Sequence, residues 1–195
     1  MVSMPAMYRR GALGVVAAAV LDLMLPATSH AQNAQERPAA PQPKAPPPPP
    51  KPFKDQLVGT WRLLISDDVM ADGTHVPGYG PNPMGTVIFT ADGHYSLQII
   101  RYNRPKLTAN SRLKGTADEN KAAIQGMISH FGTYSVNEAD KTLTFRIEGS
   151  SYPNWDGTTQ TRIITSLTQD DEVTWTNPTS SSGAPHSELA WRCVK

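Results

Sequence analysis

Beyond residue 55, apolar and polar positions alternate with period two in one segment after another. That is the pattern of strands with one buried face. In "QLVGTWRLLIS", residues 56–66, Leu57, Gly59, Trp61, Leu63 and Ile65 share a parity. Val87 and Phe89 do so in "MGTVIFT", and Tyr95, Leu97, Ile99 and Arg101 in "HYSLQIIRY". Asp92-Gly93 between these two segments is a hairpin signal, because such turns need positive φ. Further strands are expected in "FGTYSV", "KTLTFRIEG", "TQTRIITSL", "EVTWTN" and "SELAWRCV". Their apolar faces carry Leu143, Phe145 and Ile147, then Ile163 and Leu167, then Val173 and Trp175, then Leu189, Trp191 and Cys193. The connectors "NEADK" and "TQDDE" are short and polar, as hairpin loops are.

The pattern predicts an all-β fold: a single antiparallel up-and-down barrel of about eight strands with one inserted α-helix. Closure removes exposed sheet edges, and eight strands enclose room for one small ligand. The helix is expected in "TADENKAAIQGMISH", where Thr116 and Glu119 have the spacing of a capping box. Ile124, Met127, Ile128 and Phe131 fall on one helical face, and the helix is expected to cross one end of the barrel. Asp67 to Pro83, rich in Gly and Pro, reads as a long shaped loop.

The residues before the barrel have a different texture. Residues 1–31 read as a signal peptide: Arg9 and Arg10, an apolar run from Gly11 to Leu21, and a small-x-small site at Ser29-His30-Ala31. The run is shorter than the roughly 20 residues a membrane span needs, so no stable membrane insertion is expected after cleavage. The Arg pair lacks the usual flanking residues of twin-arginine export, which favours the general secretory route. Residues 32–54 read as a proline-rich disordered linker, with extended polyproline II at Pro38, Pro41, Pro43, Pro46–Pro50 and Pro52; at full extension it reaches about 70 Å. Residues 55–195 form the barrel domain. The expected location is periplasmic or secreted.

Composition narrows the chemistry. Residues 55–195 hold 12 Lys/Arg and 15 Asp/Glu, a balance unlike that of a nucleic-acid-binding surface. Cys193 is the single cysteine, so neither an internal disulfide nor a cysteine-based zinc cluster is available. The chain contains no His-Glu-x-x-His, no phosphate loop and no nucleophile elbow. No catalytic, cofactor or metal set is assigned, and no cofactor is expected.

Gly59-Thr60-Trp61 on the first strand, Trp191-Arg192 on the last, and the segments "GPNPMGTVIFTADGHYSLQIIR" and "HFGTYSVNEADKTLTFRIEGSSYPNWDGTTQTR" resemble the bacterial and fungal lipocalin-like domain family. The resemblance covers nearly all of residues 56–192. It implies a calycin-type barrel with a central cavity. It also implies that Trp61 lies across the closed end and that Arg192 stacks on it, a cation–π contact of roughly 0.5–2 kcal/mol. It implies little about chemistry.

Six residues are candidate ligand contacts: Arg101, Tyr134, Glu148, Asn154, Trp155 and Arg162. Arg101 shares the inward parity of Leu97 and Ile99, and a buried Arg needs a carboxylate, a carbonyl or an anionic ligand. Tyr134 and Arg162 lie on the nominally outer parity, and Glu148 faces out unless "EGSS" carries a bulge. "YPNWDG", with Asn154 and Trp155, is either a structured hairpin loop or a mouth loop touching ligand. The basic run Arg101, Arg104, Lys106, Arg112, Lys114 is either a solvated loop or a funnel for an anionic molecule.

The expected partner is a small hydrophobic or amphipathic ligand, with an anionic one among the alternatives; the oligomeric state stays open. A carrier or sensor is the leading reading and is favoured over catalysis. One alternative is a cyclase or isomerase working in the cavity with Arg101, Tyr134 and Glu148. The other is a structural domain whose barrel is filled by Trp155, Trp175 and the remaining aromatics.

Overall fold

The computed structural model describes Pro49, residues 51–168 and residues 171–195. The expected export signal and most of the proline linker lie outside the described residues. The elements are α1 (Phe53–Leu57), β1 (Gly59–Val69), β2 (His75–Pro77), β3 (Met84–Phe89), β4 (His94–Ile100), α2 (Ala117–Gln125), β5 (Met127–Asn137), β6 (Thr142–Ser150), β7 (Thr159–Leu167), β8 (Glu172–Asn177) and β9 (His186–Cys193). Every pairing is antiparallel. Strand order runs β2-β1-β3-β4-β5-β6-β7-β8-β9, and β1 also pairs with β9. Eight strands therefore close a barrel, as the alternation predicts, and β2 adds a short ninth along the end of β1 through Asp68↔Val76.

Because neighbouring strands run in opposite directions, the tight turns gather at one end and the long connections at the other. The tight-turn end is closed by α1, which replaces the expected start of the first strand at residue 56. The backbone N–H groups of Phe53 and Lys54 donate to the Glu138 carboxylate at 2.9 and 3.0 Å. Leu57 is fully buried, and its carbonyl accepts the Trp61 indole N–H at 2.7 Å. The floor is thus a helix turn pinned to the first strand. Arg192 takes no part in it. It alternates with the buried Trp191, so it faces out, where its Nε donates to Glu172 at 2.9 Å. The expected stacking of Arg192 on Trp61 is replaced by this outer-face ion pair.

Three register shifts revise the parity read from sequence. A β-bulge adds one residue to one strand and turns the side chains beyond it to the opposite face. On β1 the shift falls between Leu63 and Ile65; Ile65 turns out, half exposed, and Ser66 turns in. On β6, Phe131↔Gly149 is followed by Gly132↔Ile147, so Glu148 is the extra residue. Gly132, at φ +155°, is required there, because a Cβ would sit 2.1 Å from the Arg146 carbonyl oxygen. On β7 the shift falls between Ile164 and Ser166. The inward residues of β7 are Arg162 and Ile164, and Ile163 faces solvent at 46 % exposure. Here the sequence pattern misleads because one inward position is a cation.

The helix and the first loop also differ from expectation. The capping box at Thr116 and Glu119 is present, but α2 stops at Gln125. Met127, Ile128 and Phe131 belong to β5, where Ile128 is buried and Phe131 is about half exposed. The ladder Ile100↔Met127 through His94↔Thr133 satisfies more backbone than one further helical turn would. Asp67–Pro83 is a loop only in part, since β1 runs to Val69 and β2 lies within it.

Candidate ligand-binding site

The closed half of the barrel is filled with side chains. The open half holds a cavity of about 770 Å³, within the range of small-molecule sites. Its apolar wall includes Leu97, Ile99, Ile128, Trp155, Trp175 and Leu189. Aromatic residues apart, the buried polar side chains among the described residues are Ser66, His130, Arg162, Asn177 and Ser187, and all five line this cavity. Buried polar groups cost free energy unless paired, so their confinement to one chamber marks it as the functional space. The rim is polar: Ser180 donates to Asp68 at 3.0 Å, and Tyr79, Arg101 and Gln125 of α2 stand near it.

Arg162 is the chemical centre. It is 3 % exposed. One guanidinium N–H donates to the Thr161 carbonyl at 2.9 Å. The guanidinium carbon lies 5.4 Å from the Phe145 ring centre and 5.9 Å from that of Trp155. No carboxylate among the described residues pairs with it. Burial lowers its pKa to about 10, so it stays charged at neutral pH.

His130 shares the same two rings, its centroid 5.6 Å from Phe145 and 5.7 Å from Trp155. Burial, reinforced by the Arg162 charge, pushes its pKa down to about 3, so it is neutral. Its Nδ1 lies 2.8 Å from the Tyr95 hydroxyl. Burial raises the pKa of that hydroxyl, which keeps its proton. At the rim, burial followed by the Asp68 charge pushes Tyr79 up to about 12.

The six sequence candidates divide. Arg162, Trp155 and Arg101 line the cavity. Arg101 points inward as its parity predicts and donates to the Gly78 carbonyl at 3.1 Å. Tyr134, read on the outer parity, is buried, but at the closed end: it donates to the Thr90 carbonyl at 2.9 Å and packs edge-on against Phe89. Glu148 sits on its bulge and is exposed. Asn154, in the turn Pro153–Trp155, is exposed. The structure therefore gathers Arg101, Trp155 and Arg162 and leaves the other three outside the cavity.

The sequence pattern does not mark His130 or Tyr95 as ligand contacts. Each is a lone residue in sequence, and His130 falls at the end of the expected helix. Starting β5 at Met127 puts His130 opposite the inward Leu97, which is the signal that would have found it.

A closed eight-stranded antiparallel barrel, sealed at one end and hollow at the other, defines a lipocalin-type ligand-binding architecture. The chain belongs to the family of lipocalin-like domains, whose model matches residues 58–194. It is similar to the 4'-hydroxy-3'-methoxypropiophenone carrier protein of Aspergillus oryzae, with 31 % identity over 104 residues, covering 50 % of this chain and 94 % of the fungal protein. Family, cavity and relative together support small-molecule binding in general.

Proposed function

We propose that this protein is an exported carrier or sensor of a small amphipathic molecule, acting in the periplasm or outside the cell. The carrying observation is the cavity of about 770 Å³ with the buried Ser66, His130, Arg162, Asn177 and Ser187 on its wall. Apolar walls supply the driving force for uptake, and a few fixed polar groups orient the ligand. The cavity-lining aromatic side chains Trp155 and Trp175 suit a ligand with an aromatic ring, as the fungal relative's named ligand has. Export is supported by the n-region, apolar run and small-x-small site of residues 1–31.

The test is native mass spectrometry of the chain expressed with its own signal segment. A mature mass beginning after Ala31, carrying a small adduct lost on denaturation, is the expected result. A bare mass that persists after incubation with 4'-hydroxy-3'-methoxypropiophenone and with a lipid extract would overturn the carrier reading.

A second reading, an isomerase or cyclase, draws on the Tyr95–His130 hydrogen bond beside Arg162. A neutral imidazole beside a guanidinium can polarise a carbonyl by hydrogen bonding, and catalysis of that kind needs few groups beyond shape. The three residues differ from the Arg101, Tyr134 and Glu148 expected from sequence. Turnover of an enolisable ketone that is lost in His130→Gln would favour it over carriage.

A further inference from the structure

The two groups at the inner end of the cavity offer donors without matching acceptors. Arg162 spends one N–H on the Thr161 carbonyl and lines the cavity. The buried side-chain nitrogens and oxygens left without a partner among the described residues are Trp175 Nε1 and Trp191 Nε1. The remaining Arg162 N–H groups are therefore not sealed in protein; they face the cavity. The Tyr95 hydroxyl makes its one hydrogen bond to His130 Nδ1. With Tyr95 donating, the imidazole proton sits on Nε2, and His130 too presents a donor. Both groups lean on Phe145 and Trp155, so they occupy one corner of the cavity.

A guanidinium buried without a carboxylate is costly unless something negative meets it. Among the described residues the carboxylate lining the cavity, Asp68, is at the rim and is held by Ser180. We infer that the corner formed by Arg162 and His130 is a receptor for one anionic oxygen group, a carboxylate or an acidic phenol bound as its conjugate base. The ligand enters charged end first, with its apolar body against Trp155 and Trp175. This assignment rests on the carrier reading and gives it a ligand class: an apolar weak acid with a single ionised group.

Two arms separate the sources of the charge. In the first, 3-phenylpropanoate and the neutral 3-phenylpropan-1-ol are titrated into the full mature protein and followed by Trp fluorescence. The acid is expected to bind at least tenfold more tightly, with the gap gone in Arg162→Met. In the second, 4-nitrophenol is added at the pH where the free dye is half ionised, and the bound dye is expected to absorb as phenolate. A carboxylate receptor alone gives the first result without the second; an anionic-oxygen receptor gives both.

Where R162M does not fold, salt decides on the native chain. A contact with buried Arg162 changes less than twofold between low and high ionic strength, while attraction by the exposed loop bearing Arg104, Lys106 and Lys114 is screened. Equal or tighter binding of the alcohol overturns the receptor and leaves the carrier reading standing. A gap that survives in R162M, or vanishes in salt, also overturns it. Failure of both acid and alcohol to bind at millimolar concentration overturns receptor and carrier together.

Discussion

The two halves of this barrel are built from the same strands and differ in what those strands point inward. In the closed half, Leu57, Trp61, Phe89, Leu143, Val173 and Trp191 are at most 2 % exposed and fill the space. In the open half, β1, β5, β7, β8 and β9 deliver Ser66, His130, Arg162, Asn177 and Ser187 to a hollow. The closed half is stability; the open half spends stability on recognition. The lesson lies in where the change occurs. On β1 the bulge after Leu63 separates the two characters: before it, Trp61 and Leu63 point in, and after it, Ser66 does.

The floor carries the largest expected effect. Trp61→Ala is expected to cost about 3–5 kcal/mol, from lost burial and a cavity that α1 cannot close. Chemical denaturation checks it. A loss under about 1 kcal/mol would mean the closed half is not the anchor of the fold. Gly132→Ala, at the bulge facing Arg146, is expected to cost about 2–4 kcal/mol through backbone displacement and positive φ, again read from the denaturation midpoint.

His130 sharpens the open half through pH. Its pKa is about 3 in the folded protein, against about 6.5 for an ordinary histidine. Between those values the unfolded chain binds the extra proton. Stability from the neutral imidazole is therefore complete above about pH 6.5 and is lost as pH falls towards 3, at up to about 1.4 kcal/mol per pH unit. The difference in unfolding free energy between the native chain and His130→Gln should shrink over that window. A constant difference would show that His130 titrates normally.

Arg162→Met is the opposite of a core mutation. Removing a buried cation with no carboxylate partner is expected to leave stability unchanged or raise it by about 1 kcal/mol. A loss above about 2 kcal/mol would mean that Arg162 braces Phe145 and Trp155 rather than waiting for a ligand. The smallest effect belongs to the outer face. Arg192→Ala breaks an exposed pair with Glu172 and should cost less than about 1 kcal/mol. A larger cost would return Arg192 to the floor as a stacking partner of Trp61.

The barrel was legible in the sequence because its signal is repeated. Val87, Phe89, Tyr95, Leu97, Ile99, Leu143, Phe145, Ile147, Val173, Trp175, Leu189 and Trp191 all point inward as their parity requires. The site was legible only in part. Arg101 was readable because no bulge precedes it on β4. Tyr134 and Arg162 stand out as polar candidates but fall on the outer parity in sequence, and His130 is hidden because Ile124, Met127, Ile128 and Phe131 match a helical period, although β5 buries only Ile128 of the four.

Local sequence is enough for the eight strands of the barrel, the hairpin at Asp92-Gly93, the cap of α2 and the apolar half of the interior, though not for β2. These follow from local alternation and local hydrogen-bonding chemistry, which each segment carries alone. That α1 forms the floor, and that Arg162 and His130 share the Phe145 and Trp155 rings, follow from the assembled barrel. Those depend on register between strands far apart in the chain, and one extra residue at Leu64 or Glu148 is enough to exchange inside for outside.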